Sequence, residues 1–228
     1  MKTKNALTAL FIILISMAKP VLAQYKSVTL GVKGAPNIGW LKTDQEKYSS
    51  EGIVPGFAWG LVAEFYFAEN YAFGTGFNFD FQNGKLSYPE ERSGAGVLTR
   101  NYRLKYLEVP AMIKMKTNEI GRLKFFGQIG MGLGVRLNSK GKDVFKLTGS
   151  ATQTTDFSLI DSQTNLFRAS MIVGAGVEYP IDNSTSIVGG INFNNGFTNV
   201  LKGNNSAYPA TEHQGVPNFV ELSFAVMF

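Results

Sequence analysis

Residues 57–81 read FAWGLVAEFYFAENYAFGTGFNFDF. Aromatic and aliphatic side chains occupy nearly every second position on both sides of a short interruption at residues 68–70. Because successive side chains of a strand point to opposite faces, this period of two predicts two antiparallel strands joined by a tight turn. The intervening positions carry small, polar or charged residues, among them Glu64 and Asp80. We therefore expect one apolar face and one polar face.

The same alternation recurs along the chain and predicts six further strands, near residues 28–32, 107–115, 123–137, 167–179, 187–193 and 220–228. Short and long connections alternate, and the long ones cover residues 42–54, 82–99, 139–163 and 196–217. An even number of strands with short turns at one end is typical of bacterial outer-membrane barrels. The sequence thus predicts an all-β protein, an eight-stranded antiparallel up-and-down transmembrane β-barrel with short periplasmic turns and long extracellular loops.

Charges on the polar face distinguish this barrel from a soluble β-sandwich or a lipocalin-like barrel, which would bury its apolar face instead. The charged positions of that face are Glu64, Asp80, Glu108, Lys114, Lys124, Arg136, Arg168, Glu178 and Glu221. A cationic side chain facing lipid at the bilayer midplane costs about 2–4 kcal/mol, whereas opposite charges inside a barrel can pair. Eight strands leave an interior that side chains can fill. We therefore predict that these nine residues form a polar network in the lumen.

The N-terminus has the features of a secretory signal peptide. Lys2 and Lys4 precede an apolar run at residues 6–17, and a small-residue cleavage pattern ends at Ala23. That run is shorter than the roughly 20 residues that a transmembrane helix needs. We expect residues 1–23 to be removed and residues 24–228 to form one barrel domain.

Charge and cysteine content exclude several classes of function. The formal net charge of +5 falls to about +2 once Lys2, Lys4 and Lys19 are removed with the signal peptide, so nucleic acid is not an expected partner. The chain contains no cysteine, which excludes a disulfide scaffold, a cysteine-ligated zinc site and a thiol nucleophile.

Four segments resemble the PorT-like outer-membrane β-barrel family, and the resemblance spans essentially the whole mature chain. They are residues 28–37 (VTLGVKGAPN), 106–110 (YLEVP), 127–134 (GQIGMGLG) and 174–180 (GAGVEYP). The resemblance implies a small barrel of the Gram-negative outer membrane. One namesake of the family assists protein export, but the motifs carry the fold and not that activity. The terminal Phe228 also resembles the C-terminal signal that barrel-assembly machinery recognises.

The motifs offer no competent catalytic set, and we expect no cofactor and no metal. The glycines at 130, 132 and 134 lack the Gly-Lys-Ser/Thr of a phosphate loop and are interpreted as inward positions that make room for Arg136, Lys124 or neighbouring aromatics. His213 is the only histidine, with Glu212, Ser206 and Glu221 as candidate partners for an outer-membrane enzyme. A solvated loop histidine is the favoured interpretation.

A basic stretch at residues 100–106 is expected to rise above the membrane. Arg100, Arg103 and Lys105 could meet lipopolysaccharide phosphates there, or simply form a solvated rim. The expected partners are outer-membrane lipid and lipopolysaccharide, the barrel-assembly machinery, and proteins contacting the long loops.

The leading functional hypothesis is a non-enzymatic barrel with a structural or interaction role through its extracellular loops. Three alternatives stay open: a small passive, porin-like pore, a component of an outer-membrane secretion apparatus, and an enzyme that uses His213.

Overall fold

The computed structural model describes residues 28–149 and 152–228, so the predicted signal peptide lies outside the described residues. The described strands are β1 (Val28–Lys42), β2 (Ser49–Ser50), β3 (Val54–Ala68), β4 (Tyr71–Glu91), β5 (Ala95–Lys116), β6 (Lys124–Leu147), β7 (Thr152–Leu159), β8 (Phe167–Pro180), β9 (Ser186–Gly196) and β10 (Val216–Met227). A single turn of 3-10 helix covers Asp161–Gln163. Within the described ranges, no helix is both long and apolar enough to cross a lipid bilayer.

Eight of these strands close into a ring. The order around it is β1, β3, β4, β5, β6, β8, β9 and β10, and every neighbouring pair is antiparallel. The ring closes where β10 pairs with β1, for example at Val32↔Val226 and Ile38↔Val220. This confirms the predicted eight-stranded up-and-down barrel. The two remaining strands, β2 and β7, pair with β4 and β6 at the long-loop end.

The outer surface of the ring carries a belt of large apolar side chains. Leu61, Leu133 and Ile191 are each almost three-fifths exposed, at 58%, 59% and 59%. Toward the long-loop end, Trp59 stacks on Phe79 with ring centroids 4.6 Å apart. Contiguous apolar surface on this scale is the surface that a barrel presents to lipid, with aromatic rings near its borders.

Two of the predicted long loops are largely strand. Within residues 82–99, β4 continues to Glu91 and β5 starts at Ala95, and the two pair along this whole extension. Within residues 139–163, β6 continues to Leu147 and β7 pairs beside it. Alternation continues there with apolar residues on the inward face, the pattern of a sheet whose outer surface is in water. Because the apolar side chains of these extensions face inward, the extensions were not among the predicted strands.

The extensions and the long loops enclose a hydrophobic core of their own. Its buried members are Leu41, Tyr48, Leu86, Tyr88, Leu98, Tyr102, Leu104, Tyr106, Phe145, Ile160, Val200 and Leu201. We call this core, with the extended ends of β4, β5 and β6, strands β2 and β7 and the loops that pack on them, the platform. It covers the long-loop mouth of the barrel.

Candidate functional site

A cluster of ion pairs closes the barrel interior toward the short-turn end. The ammonium of Lys114 lies 2.5 Å from one carboxylate oxygen of Glu64, and that of Lys116 lies 2.9 Å from the other. Lys116 also pairs with Glu178 at 2.5 Å. The hydroxyl of Tyr66 donates to Glu64 at 2.7 Å. Each cation thus has a carboxylate partner, as charges removed from water require.

A second cluster is centred on Arg168, whose side chain is fully buried. Its Nη1 lies 3.1 Å from Glu108 Oε2 and 3.8 Å from Asp80 Oδ2. Its Nη2 donates to Asn194 Oδ1 at 2.5 Å. Gly132 makes this arrangement possible, because a Cβ there would lie 2.6 Å from Glu108 Oε2. Glycine therefore does make room in the lumen, here for Glu108 rather than for Arg136 or Lys124.

A third contact set connects β1, β9 and β10. Lys33 pairs with Glu221 at 2.9 Å, and Asn192 donates to the same carboxylate oxygen at 2.8 Å. Asn192 in turn accepts from Gln128 at 2.6 Å. Because Gln128 lies on β6, these contacts also join strands that are not neighbours in the ring.

The structure separates the nine predicted lumen residues into two groups. Seven are buried on the inward face: Glu64, Asp80, Glu108, Lys114, Arg168, Glu178 and Glu221. Lys124 is half-buried at the rim of the short-turn mouth and has no ion pair among the described residues.

Arg136 lies at the other mouth of the barrel. Its Nη1 donates to the carbonyl oxygens of Asp161 and Thr164, at 2.7 and 2.5 Å. It therefore fastens a loop over the barrel instead of neutralising a lumen acid. Arg136 therefore lies outside the lumen network in which it was predicted.

Two lumen cations, Lys33 and Lys116, are not among the nine predicted residues. Lys33 alternates with Val32 on β1, and Lys116 follows Lys114 by two residues on β5, so both share the inward phase. The alternation of side chains between the two faces of a strand could by itself have identified both lysines. Lys116 and Lys33 supply the cations for Glu178 and Glu221, and Lys116 is a second cation beside Glu64.

Among the cavities formed by the described residues, two are lined by inward-facing side chains of the barrel. An inner cavity of about 60 Å³ is lined by Lys33, Glu64 and Asn192 among others, and holds only a few water molecules. A wider cavity of about 230 Å³ opens at the short-turn end between Lys116 and Lys124. Glu64 lines the inner cavity and Lys116 the outer one, so their ion pair lies between the two.

Within the platform, Arg100 points inward rather than to the rim. Its Nε and Nη2 donate to the two oxygens of Asp143, at 2.5 and 2.8 Å, and its Nη1 donates to Gln163 at 2.5 Å. Arg92 also donates to Asp143. Burial raises the pKa of Asp143, but the hydrogen bonds from Arg100 and Arg92 outweigh it and hold this pKa below its usual range. The carboxylate is charged at neutral pH and joins β5 to β6.

His213 belongs to the platform as well. Its Nδ1 lies 2.8 Å from the hydroxyl of Tyr48, which accepts a hydrogen bond from Asn205 at 2.9 Å. Burial and the nearby charge of Arg100 lower the pKa of His213, so the imidazole is neutral near pH 7.

The candidate catalytic partners of His213 are not assembled around it. Ser206 accepts the backbone N–H of Glu91, and Glu221 pairs with Lys33 in the lumen. No hydrogen bond or ion pair joins His213 to Glu212 among the described contacts. Nor do the described residues hold a group of three or more His, Asp or Glu side chains suited to a metal ion.

This geometry defines a class: a small antiparallel barrel with a lipid-facing exterior and a filled polar interior. Residues 22–202 match the family model described as outer membrane protein beta-barrel domain, and the chain belongs to that family. It is a protein of the bacterial outer membrane, with the short turns in the periplasm and the platform outside the cell. The narrower PorT-like assignment stays a prediction.

Solved structures with a similar arrangement are distant in sequence. Neisserial surface protein A is 14% identical with a TM-score of 0.44, covering 89% of this chain and 96% of its own. Ail, the attachment invasion locus protein of Yersinia pestis, is 14% identical with a TM-score of 0.38, at 90% and 100% coverage. OprG of Pseudomonas aeruginosa is 10% identical with a TM-score of 0.39, at 89% and 96% coverage. No protein of curated function matches the sequence.

Proposed function

We propose that this protein is a closed, non-enzymatic outer-membrane barrel that presents the platform as an ordered interaction surface outside the cell. The proposal rests on one observation: the interior is filled along its length, with ion pairs in the lumen and a hydrophobic core directly above them. A loop surface with its own core can hold a fixed shape for a partner, because little conformational entropy is then lost on binding.

Contacts between separate loops support an ordered platform. Tyr48, next to β2, stacks on Tyr88 of β4 with centroids 4.7 Å apart. Asn205, from the last long loop, donates to the carbonyl oxygen of Pro89 at 2.8 Å. The loops before β3 and before β10 are thereby fixed to the same strand. Such crossing contacts distinguish a packed surface from a set of independent mobile loops.

The passive pore is the main competing function. Conduction needs a continuous water path, whereas the inner cavity is small and the ion pair of Glu64 and Lys116 lies between it and the outer cavity. Planar-bilayer recordings of the purified, refolded protein test this directly. We expect no step conductance from wild type, and reproducible channel openings would contradict a closed barrel.

The interaction role needs a test of its own, because a closed barrel need not have a partner. A photo-crosslinking amino acid at exposed Thr154 on β7 probes the platform, and one at exposed Glu119 probes a periplasmic turn. We expect a defined crosslinked species from Thr154 in intact cells. A species from Glu119 alone, containing secretion machinery, would instead favour the export alternative that the PorT-like resemblance suggests.

The enzymatic alternative predicts that His213 is required for a chemical change in lipid or protein. Among the described residues His213 is hydrogen-bonded to Tyr48, and the candidate nucleophile Ser206 is bonded to Glu91 instead, so His213→Ala should leave lipid A and outer-membrane protease profiles unchanged. A changed profile in that strain would contradict the non-enzymatic proposal.

Phe228 remains a proposed assembly signal. Its backbone N–H donates to the carbonyl oxygen of Leu30 at 2.7 Å and its ring is half-exposed toward lipid. Because Phe228 extends the pairing of β10 with β1, it is suitably placed for recognition before the barrel closes. Deletion of Phe228 should slow assembly in cells more than it lowers refolding yield in vitro.

A further inference from the structure

A one-sided group of cations lies on the outer surface just above the apolar belt. Its members are Lys85, Arg103, Lys105, Lys140 and Lys142, which we call the cation strip. They alternate on β4, β5 and β6 with residues that face the platform core, such as Leu86, Leu104 and Phe145, so their side chains point away from the barrel axis.

Strand register places the strip in ascending rows. Lys105 pairs with Phe81, the last large apolar residue on the outward face of β4, and its ammonium lies 5.0 Å from the centre of that ring. Two residues further along, Arg103 pairs with Lys140. The next row holds Lys85 and Lys142, both paired with Asn101. At roughly 3.4 Å per residue, the three rows occupy about 14 Å of strand.

Most of this charge is not neutralised by the protein. Among the described residues, Lys85, Arg103, Lys105 and Lys140 have no carboxylate within 4 Å, and Lys142 has one exposed partner, Asp156, at 3.1 Å. The guanidinium of Arg103 lies 3.8 Å from the ring centre of Phe157 on β7. Stacking holds that guanidinium in place and leaves its N–H edge free for an anion, where a planar fork suits phosphate.

We propose that the cation strip binds the phosphate groups of outer-leaflet lipid, specifically those of the lipid A part of lipopolysaccharide. The lowest row is continuous with the lipid-facing surface at Phe81, so a ligand with acyl chains below and anionic groups above contacts both at once. A soluble polyanion would use the cations but not the adjoining apolar surface. The sequence indicated Arg100, Arg103 and Lys105 for this role; the structure replaces Arg100, which binds Asp143, with Lys85, Lys140 and Lys142.

This inference depends on the outer-membrane location and not on the platform having a protein partner. It is tested with the mature chain folded in zwitterionic nanodiscs and purified lipid A as the probe. The test variant is Arg103→Gln/Lys105→Gln/Lys140→Gln. The matched control is Lys42→Gln/Lys47→Gln/Lys202→Gln, which removes the same charge at exposed positions outside the strip. A boiling-dependent gel shift verifies folding of each.

We expect the strip variant to bind lipid A at least tenfold more weakly than wild type, with the control variant unchanged. Phosphatase-treated lipid A should bind wild type as weakly as native lipid A binds the strip variant, and added salt should reduce the difference because the cations are exposed. Arg103→Lys should lose part of the affinity, since the charge remains but the fork does not.

Equal binding by the two triple variants, or undiminished binding of phosphate-free lipid A, would overturn the proposal. So would a strip-dependent affinity for a soluble sulfated polysaccharide with no affinity for lipid A, which would make the strip a site for soluble polyanions.

Discussion

The two halves of the long strands β4, β5 and β6 are inverted relative to each other. In the membrane half, Phe81 faces outward and Asp80 faces inward. In the platform half, Lys85 faces outward and Leu86 faces inward. The alternation of inward and outward positions on β4 continues unchanged through both halves, since residues 80, 82, 84 and 86 all point inward. The surrounding medium, lipid below and water above, therefore decides which chemistry each face carries.

In β6 the alternation of inward and outward positions is interrupted by a β-bulge. Asn138 pairs with Lys105 and Arg136 pairs with Tyr106, so Leu137 is an extra residue on β6 at the border of the halves. Even-numbered positions such as 132 and 134 face inward below the bulge, and odd-numbered positions such as 143 and 145 face inward above it. The bulge directs Leu137 to lipid while placing the residues beyond it in phase with the platform core.

The largest effect is expected from breaking the interior of the membrane half. Arg168→Met removes the cation beside Glu108 and Asp80, leaving these buried carboxylates without their ion-pair partner. The free energy of unfolding should fall by about 3–5 kcal/mol, measured by urea titration in lipid vesicles. The triple variant Asp80→Asn/Glu108→Gln/Arg168→Met should recover most of that loss. Equal losses in both variants would show that packing, and not charge, holds this cluster.

The interior of the platform should respond to apolar truncation instead. Leu98→Ala removes a fully buried side chain from the platform core and should cost about 2–5 kcal/mol of local stability. Limited proteolysis should then cut the platform while the boiling-dependent shift of the barrel persists. Val97→Ala is the matched control, because the neighbouring Val97 points outward and is 47% exposed. Loss of the gel shift in Leu98→Ala would mean that the halves unfold as one unit.

The outer faces of the two halves can be compared by making the same change, Val to Lys, at two positions of β5. Val109 and Val97 both point outward from β5, but Val109 pairs with Leu133 in the lipid belt and Val97 pairs with Lys146 in the platform. Val109→Lys should destabilise the barrel by about 2–4 kcal/mol. Val97→Lys should cost less than about 1 kcal/mol, since water solvates the ammonium and only the cross-strand repulsion from Lys146 remains. Similar costs would place the lipid boundary higher than Phe81.

The membrane half was predictable because its alternation of apolar and polar residues indicates both where the strands lie and which side chains face lipid. The platform was not, since residues such as Leu86 and Leu98 keep the period of two while reversing which face is apolar. The inward placement of Lys33 and Lys116 follows from parity and was open to prediction. The environment of Arg136 was not, because it depends on a bulge in β6 and on a loop that folds back over it.

The inward position of Arg100 was also not predictable from the local sequence. Its position in a basic stretch indicates a solvated rim, whereas its partner Asp143 lies on another strand and is brought opposite it only by the pairing of β5 with β6. Contacts of this kind depend on register far from the residue itself. Nothing in the local sequence marks Arg100 as inward and Arg103 as outward until the strand is known to continue through both.

The smallest effect is a pH dependence confined to the platform. The pKa of Asp143 is lower in the folded protein than in the unfolded chain, so its stabilising contribution is complete above the ordinary Asp pKa of about 3.9 and disappears as the pH falls through the lower folded value. Platform protection measured by hydrogen exchange should therefore decrease in acid. Asp143→Asn should be less protected at pH 7, by about 1.5–3 kcal/mol, and should show a weaker pH dependence.

Some pH dependence should survive in Asp143→Asn, because Asp161 also has a lowered pKa, through the hydrogen bond from Ser139. Asp182, in a periplasmic turn, has its pKa lowered by hydrogen bonds from its own turn and supplies the control. Asp182→Asn should leave platform protection at every pH as in wild type. If Asp143→Asn titrated like wild type, the link between β5 and β6 through Arg100 would not be what orders the platform, and the inversion of faces alone would have to account for it.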